Sequence, residues 1–141
     1  MFFCIKGSNF RLRMQTLITS GVEVKVETFY QEDYSKPALN EFVYSYRITL
    51  FNHNSFTVQL LRRVWIISDA NGDVKTVEGE GVVGRQPILY PGDSYQYVSG
   101  SNLSTPIGKM EGLYIFDNKT NGKEFEVKIP VFRLVSPVIL N

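Results

Sequence analysis

The chain has 141 residues, 43% of them hydrophobic, with 15 Lys+Arg against 14 Asp+Glu, one cysteine and one histidine. That length suits one domain with a core large enough to need no disulfide or metal staple. A net charge of +1 gives no footprint for nucleic acid or an anionic membrane, and a single Cys and a single His exclude an internal disulfide and any His or Cys metal cluster.

The opening Met1-Phe2-Phe3-Cys4-Ile5-Lys6 is apolar for only five residues, short of the roughly 7–15 that a signal peptide needs. No later run approaches the ~18–20 apolar residues of a membrane span. Cytoplasmic residence is the expectation, in keeping with the lone cysteine. Residues 1–13 read as an N-terminal extension or an over-called start, and residues 14–141 as the domain, because the regular pattern sets in near Met14.

From Val22 the period is two: Val22, Val24 and Val26 alternate with Glu23, Lys25 and Glu27, giving a strand with one buried and one solvated face. Residues 31–40 form a polar connection. Phe42, Tyr44, Tyr46, Ile48 and Leu50 then line one face of a long second strand, and Asn52-His53-Asn54-Ser55 makes a turn. Phe56 to Ser68 is a third strand with poorly sorted faces, as expected of a strand covered on both sides. Asn71-Gly72 signals a hairpin into Val74-Lys75-Thr76-Val77.

A Gly/Pro-punctuated stretch runs from Gly79 to Gly92, followed by a strand at Ser94–Ser99 and a loop from Gly100 to Gly108. Met110–Phe116 and Glu124–Leu134 are further strands about an Asn121-Gly122 turn, and Pro130 is expected to end or bend the last. About seven to eight short strands without sustained helical periodicity predict an all-β, antiparallel sandwich of the immunoglobulin or fibronectin type III-like kind. Its core is expected to centre on Trp65, Phe42, Tyr44, Tyr46 and the aliphatic set.

Gly79-Glu80-Gly81-Val82-Val83-Gly84 spells GxGxxG, but Pro87 and Pro91 forbid the helix that a dinucleotide site requires. A helix-free variant stays open, in which Gly79, Gly81 and Gly84 form a phosphate-binding nest beside Arg85 for pyrophosphate or a nucleotide. Asp69, Asn71, Asp73 and Glu80 mimic calcium-loop spacing, yet Val74 stands where that loop needs glycine, so a hairpin is the better reading. His53 lies in a turn with no nucleophile elbow nearby, and Cys4 reads as an incidental thiol. Arg62-Arg63 places one arginine on each face of its strand. The tyrosines at 44, 46, 90, 95, 97 and 114 suit strands first and interfaces second.

The blocks Trp65–Gly72, Val77–Pro87, Pro91-Gly92, Tyr97-x-Ser99-Gly100, Gly108-x-Met110-x-Gly112-x-Tyr114 and Ile129-Pro130-x-Phe132-Arg133-Leu134 together resemble the ApaG family, also called CorD. The resemblance spans about residues 14–135. It implies a fibronectin type III-like sandwich, an association with cobalt resistance and magnesium efflux, and, from similar domains in larger eukaryotic proteins, a role as a protein-interaction module. Family members often carry His just before the Trp and between the Met and Gly of the fifth block; Val64 and Glu111 stand there, which counts against a direct metal role. With no catalytic constellation in view, a non-enzymatic module without a cofactor and with a protein partner is the leading expectation, and phosphate or nucleotide binding the alternative.

Overall fold

In the computed structural model, which describes residues 11–137, two antiparallel sheets face each other across one apolar layer. The first has the order β1 (Arg11–Thr19), β2 (Val22–Tyr30), β3 (Phe42–Asn52), β7 (Ser94–Leu103). The second has the order β5 (Val74–Glu80), β4 (Val58–Asp69), β8 (Ile107–Asn118), β9 (Glu124–Val135), with the two-residue β6 (Ile88–Leu89) continuing the β5 side of β4. Two single 3-10 turns, Glu32–Tyr34 and Pro37–Leu39, carry the polar connection between β2 and β3.

The sandwich expected from alternation is therefore present, with nine strands among the described residues. β1 begins at Arg11, so it crosses the boundary drawn near Met14; residues 1–10, including Cys4, lie outside the described residues. The alternating valines of β2 and the Phe42, Tyr44, Tyr46, Ile48, Leu50 face of β3 are buried as expected. Their neighbours Glu23, Lys25, Arg47 and Thr49 stand on the opposite face, since side chains along a strand point to alternate sides.

Trp65 of β4 crosses to the facing sheet and packs against Tyr46 of β3, their ring centres 5.4 Å apart, while Phe132 of β9 meets both at 5.9 and 6.0 Å. Truncating such a buried aromatic to alanine costs about 3–5 kcal/mol, a large part of a whole domain's stability margin.

Two sequence expectations need correction, and the one at Pro130 is met. β7 runs on to Leu103, because its Gly/Ser/Asn tail continues the ladder with β3 down to Phe42↔Leu103; the loop that was expected from Gly100 shrinks to 104–106. β9 does bend at Pro130, where two of its residues oppose Glu111 of β8, but pairing resumes at Phe132. β4 is not sorted poorly because both faces are covered. A bulge between Leu60 and Arg62 inserts Leu61 and reverses the phase. Val58 and Leu60 point inward before it, Trp65 after it, and neither half alternates in step with the other.

Buried Asn52 makes a polar corner: its Nδ2 donates to the carbonyls of Phe56 (2.9 Å) and Leu89 (3.0 Å), and its Oδ1 accepts from the Asn54 amide (3.0 Å). These bonds tie the short β6 to the β3–β4 turn.

Candidate functional site

Beyond the bulge, regular alternation sends the two consecutive arginines of β4 to opposite faces, as their adjacency predicts. Arg62 projects outward and pairs with Glu124 at 2.8 Å. Arg63 stays on the Trp65 side, half-buried, and its Nη1 donates to the carbonyls of Glu80 (3.0 Å) and Gly81 (2.9 Å). Leu61, the inserted residue, accepts on its carbonyl both the Gly81 amide (2.8 Å) and the Gln86 side-chain amide (2.9 Å). The glycine-rich loop is thus clasped at both ends by β4.

Each of the three motif glycines has a folding reason. Over Gly79 lies the Arg63 guanidinium, 2.8 Å from where a Cβ would stand. Gly81 has φ +64° and no room, since a Cβ there would lie 2.2 Å from the Arg85 carbonyl oxygen. Gly84 follows Val83 in a two-residue turn with positive φ at both, 48° at Val83 and 75° at Gly84, closed by reciprocal Val82–Arg85 backbone bonds of 2.7 and 3.0 Å. That is the mirror-image hairpin turn, where a β-branched residue is an outlier. The amides of Gly81, Val82 and Arg85 are committed inside the protein, and Arg85 lies exposed on the far side of the turn.

Behind this loop is a pocket of about 130 Å³ lined by Tyr46, Arg63, Trp65, Val82, Val83, Tyr97 and Ser99. Burial pushes the Tyr46 phenol above its ordinary range, opposed by a hydrogen bond with Ser99 and by the Arg63 charge. Tyr97 and Tyr114, also buried, share a hydroxyl–hydroxyl bond of 2.5 Å, and desolvation raises both. All these phenols stay neutral at physiological pH.

A second surface lies along β5. The pairs Leu61–Gly81 and Asp69–Asp73 are hydrogen-bonded, so by antiparallel alternation Arg63–Gly79, Trp65–Val77 and Ile67–Lys75 are too. The main-chain groups of Val74, Thr76 and Glu78 therefore point away from β4, whereas the Glu80 carbonyl is taken by Arg63, and no strand pairs with that edge among the described residues. Val74 is 61% and Val77 39% exposed. Beside the start of β5 is a cleft of about 420 Å³, floored by Ile67 and Leu103 and rimmed by Glu41, Asp73 and Lys75.

The calcium-like spacing resolves into a hairpin. Gly72 (φ +94°) closes a three-residue turn, and the Asp69 carboxylate turns away to accept the amides of Ser104 (3.1 Å) and Thr105 (3.2 Å) and both their hydroxyls. Burial works against the charged form of Asp69, but these bonds outweigh it and hold the carboxyl below its usual range. Among the described residues no group of three or more His, Cys, Asp or Glu side chains could hold a metal ion. His53 is exposed, 2.9 Å from Glu23 Oε1, with its ring against Phe51. No helix among the described residues is long and apolar enough to cross a membrane.

The ApaG domain model matches residues 32–118, from the first 3-10 turn to the end of β8. The chain belongs to the ApaG family. It is 51% identical over 124 residues to Protein ApaG of Brucella abortus (strain S19), covering 88% of this chain and 95% of that one. It is 50% identical over 120 residues to Protein ApaG of Vibrio vulnificus (strain YJ016), covering 85% and 94%. Its fold is similar to the crystal structure of the ApaA protein from Bordetella pertussis, with TM-score 0.80 and 40% identity over 82% of this chain and 94% of that one.

The blocks that carry the ApaG resemblance prove to be contact points of the sandwich. Met110 and Tyr114 are buried, and Gly112 faces Trp65 across the ladder so closely that a Cβ would stand 2.0 Å from the Val64 carbonyl oxygen. Val64 and Glu111 both belong to the outer face of the second sheet; Glu111 is 3.4 Å from Lys109 Nζ.

Sequence reasoning grouped Gly79, Gly81, Gly84 and Arg85; the structure has Gly79 in β5, opposite Arg63, and Gly81, Gly84 and Arg85 in the loop that follows, with Arg63 as the inward cation. Tyr46, Tyr97 and Ser99 went unassigned because they come from the other sheet. The one available signal was the double apolar–polar irregularity at Leu60-Leu61-Arg62-Arg63, which marks the bulge.

Proposed function

We propose that this ApaG-domain protein is a non-enzymatic interaction module that binds an extended segment of a partner protein along β5. The observation that carries the reading is the outward-facing main chain of Val74, Thr76 and Glu78. An added strand gains backbone hydrogen bonds there, and alternate side chains supply specificity. The adjacent cleft favours a segment carrying Lys or Arg, because the carboxylates of Glu41 and Asp73 outnumber Lys75 and the floor of Ile67 and Leu103 suits an aliphatic stem. Lys75, Glu78 and Glu80 on the edge discourage indiscriminate pairing. In this reading the link to cobalt resistance and magnesium efflux that the family resemblance implies acts through the partner.

Thr76→Pro tests the reading selectively. The Thr76 amide faces the open edge, so proline blocks an added strand while leaving the β4–β5 ladder intact. With a photo-crosslinking residue at Glu78, the full chain in extract of its own cells should capture a discrete extended segment of one partner. Thr76→Pro should abolish that crosslink and change stability by no more than about 0.5 kcal/mol. An unchanged crosslink in the folded Thr76→Pro protein, or no discrete segment captured at all, would overturn the assignment.

A further inference from the structure

We infer that the pocket between the sheets at Arg63 binds a small tetrahedral oxyanion of the phosphate class, with Arg63 and not Arg85 as its cationic anchor. Charge is the first reason. Arg63 is half-buried, and among the described residues no carboxylate pairs with it: Arg62 takes Glu124, while Glu78 and Glu80 belong to the outer face of β5. Taking a cation out of water is unfavourable unless an opposite charge or hydrogen bonds compensate it. Nη1 has the carbonyls of Glu80 and Gly81, and the guanidinium's Nη2 and Nε donors remain for an anion.

Donor chemistry is the second reason. Tyr46 from β3 and Ser99 from β7 face each other across the ladder and both line the pocket, so a bond between their hydroxyls uses one O–H and leaves the other to donate. The donors thus come from β4 on one side and from β3 and β7 on the other, an arrangement suited to a tetrahedral anion more than to a planar one. Neutral Tyr46 and Tyr97 phenols add no competing negative charge. Trp65, Val82 and Val83 supply apolar walls, which strengthen an ion pair by lowering the local dielectric.

Size is the third. A volume of 130 Å³ is room for about four waters and so for a phosphate group, but not for a nucleoside. The glycine loop walls this site with Val82 and Val83 and offers Arg63 its carbonyls, so its part is to shape the pocket and not to cradle the anion.

The test is an amide and arginine side-chain NMR titration of the full chain with sodium phosphate against sodium chloride at constant ionic strength. The expected result is saturable shifts at Arg63 Nε–H, Val82 and Ser99 below about 20 mM phosphate. Arg63→Gln should weaken binding at least about tenfold, and Ser99→Ala about threefold, while Arg85→Gln leaves it unchanged. Thermal melts accompany each variant; should Arg63→Gln fail to fold, the Ser99→Ala and Arg85→Gln pair carries the decision. A parallel arm with a short phosphoserine peptide tells free phosphate from phosphate borne on a side chain, and Arg63-dependent binding of either supports the site. Absence of saturable shifts in both arms, or loss of binding in Arg85→Gln, would overturn it.

Discussion

Arg63 lies over Gly79 so closely that a Cβ on Gly79 would stand 2.8 Å from Arg63 Nη1. The neighbour in the way is the far end of a flexible side chain, so Gly79→Ala should cost only about 1 kcal/mol while displacing the guanidinium from the Glu80 and Gly81 carbonyls. Gly81→Ala meets a backbone carbonyl and a positive φ instead, and should cost about 3 kcal/mol. Urea melts of the two variants should rank them in that order; equal losses would contradict the distinction between side-chain and backbone obstruction.

The Val82–Arg85 turn holds a β-branched residue at φ 48°. Such a conformation costs about 1–3 kcal/mol, and Asn-Gly is the preferred pair in a turn with positive φ at both centres. Val83→Asn should therefore stabilise the protein by about 1 kcal/mol, raising Tm by roughly 2–4 °C. A lower Tm would mean that the exposed Val83 side chain contributes more by packing than its backbone loses.

The Asp69 carboxylate fastens the β7–β8 turn to the end of β4 through Ser104 and Thr105. Its carboxyl is held lower in the folded chain than in the unfolded one, where an aspartate titrates near pH ~4. The stabilisation is complete above that value and is lost as pH falls through the lower folded pKa. Asp69→Asn should destabilise by about 2 kcal/mol at pH 7, and the gap from the parent protein should narrow below pH ~4. Melts at pH 7 and pH 3 decide this; a gap that persists undiminished at pH 3 would assign the loss to something other than the charge.

Tyr97 and Tyr114 meet hydroxyl to hydroxyl in the buried layer. Removing either hydroxyl strands the other, so Tyr97→Phe and Tyr114→Phe should each cost about 1–3 kcal/mol. The double variant should cost less than their sum, because no orphaned group is left, and a coupling energy near zero in the cycle would sink this.

Most of the fold was legible because Val22–Val26 and Tyr44–Leu50 alternate apolar with polar residues, the imprint of a strand with one face in the core; past Val26 the burial no longer alternates, and Glu27, Thr28, Phe29 and Tyr30 are all buried. The tail of β7 was not legible, because Gly100, Ser101 and Asn102 have loop composition and are strands only through their ladder with β3. β4 was misread for the opposite reason: its apolar content was plain, but one inserted residue superposed two phases. At the candidate site the glycine motif was visible as a string. What it contacts, Arg63 from β4 and Tyr46 and Ser99 from the facing sheet, depends on pairings across dozens of residues that no local pattern encodes.

Leu61 has a further consequence for how the gene can change. With Val58 and Leu60 facing inward on one side of it and Arg63 and Trp65 on the other, the step from Leu60 to Arg63 is three residues where a regular strand would take two. A single-codon deletion of Leu61 would not exchange the faces; it would restore plain alternation, with Val58, Leu60, Arg63 and Trp65 all still inward. What it would remove is the carbonyl that grips the loop from Gly81 to Gln86 at both ends. The extra residue is therefore tied to the glycine-rich loop and not to the alternation of β4.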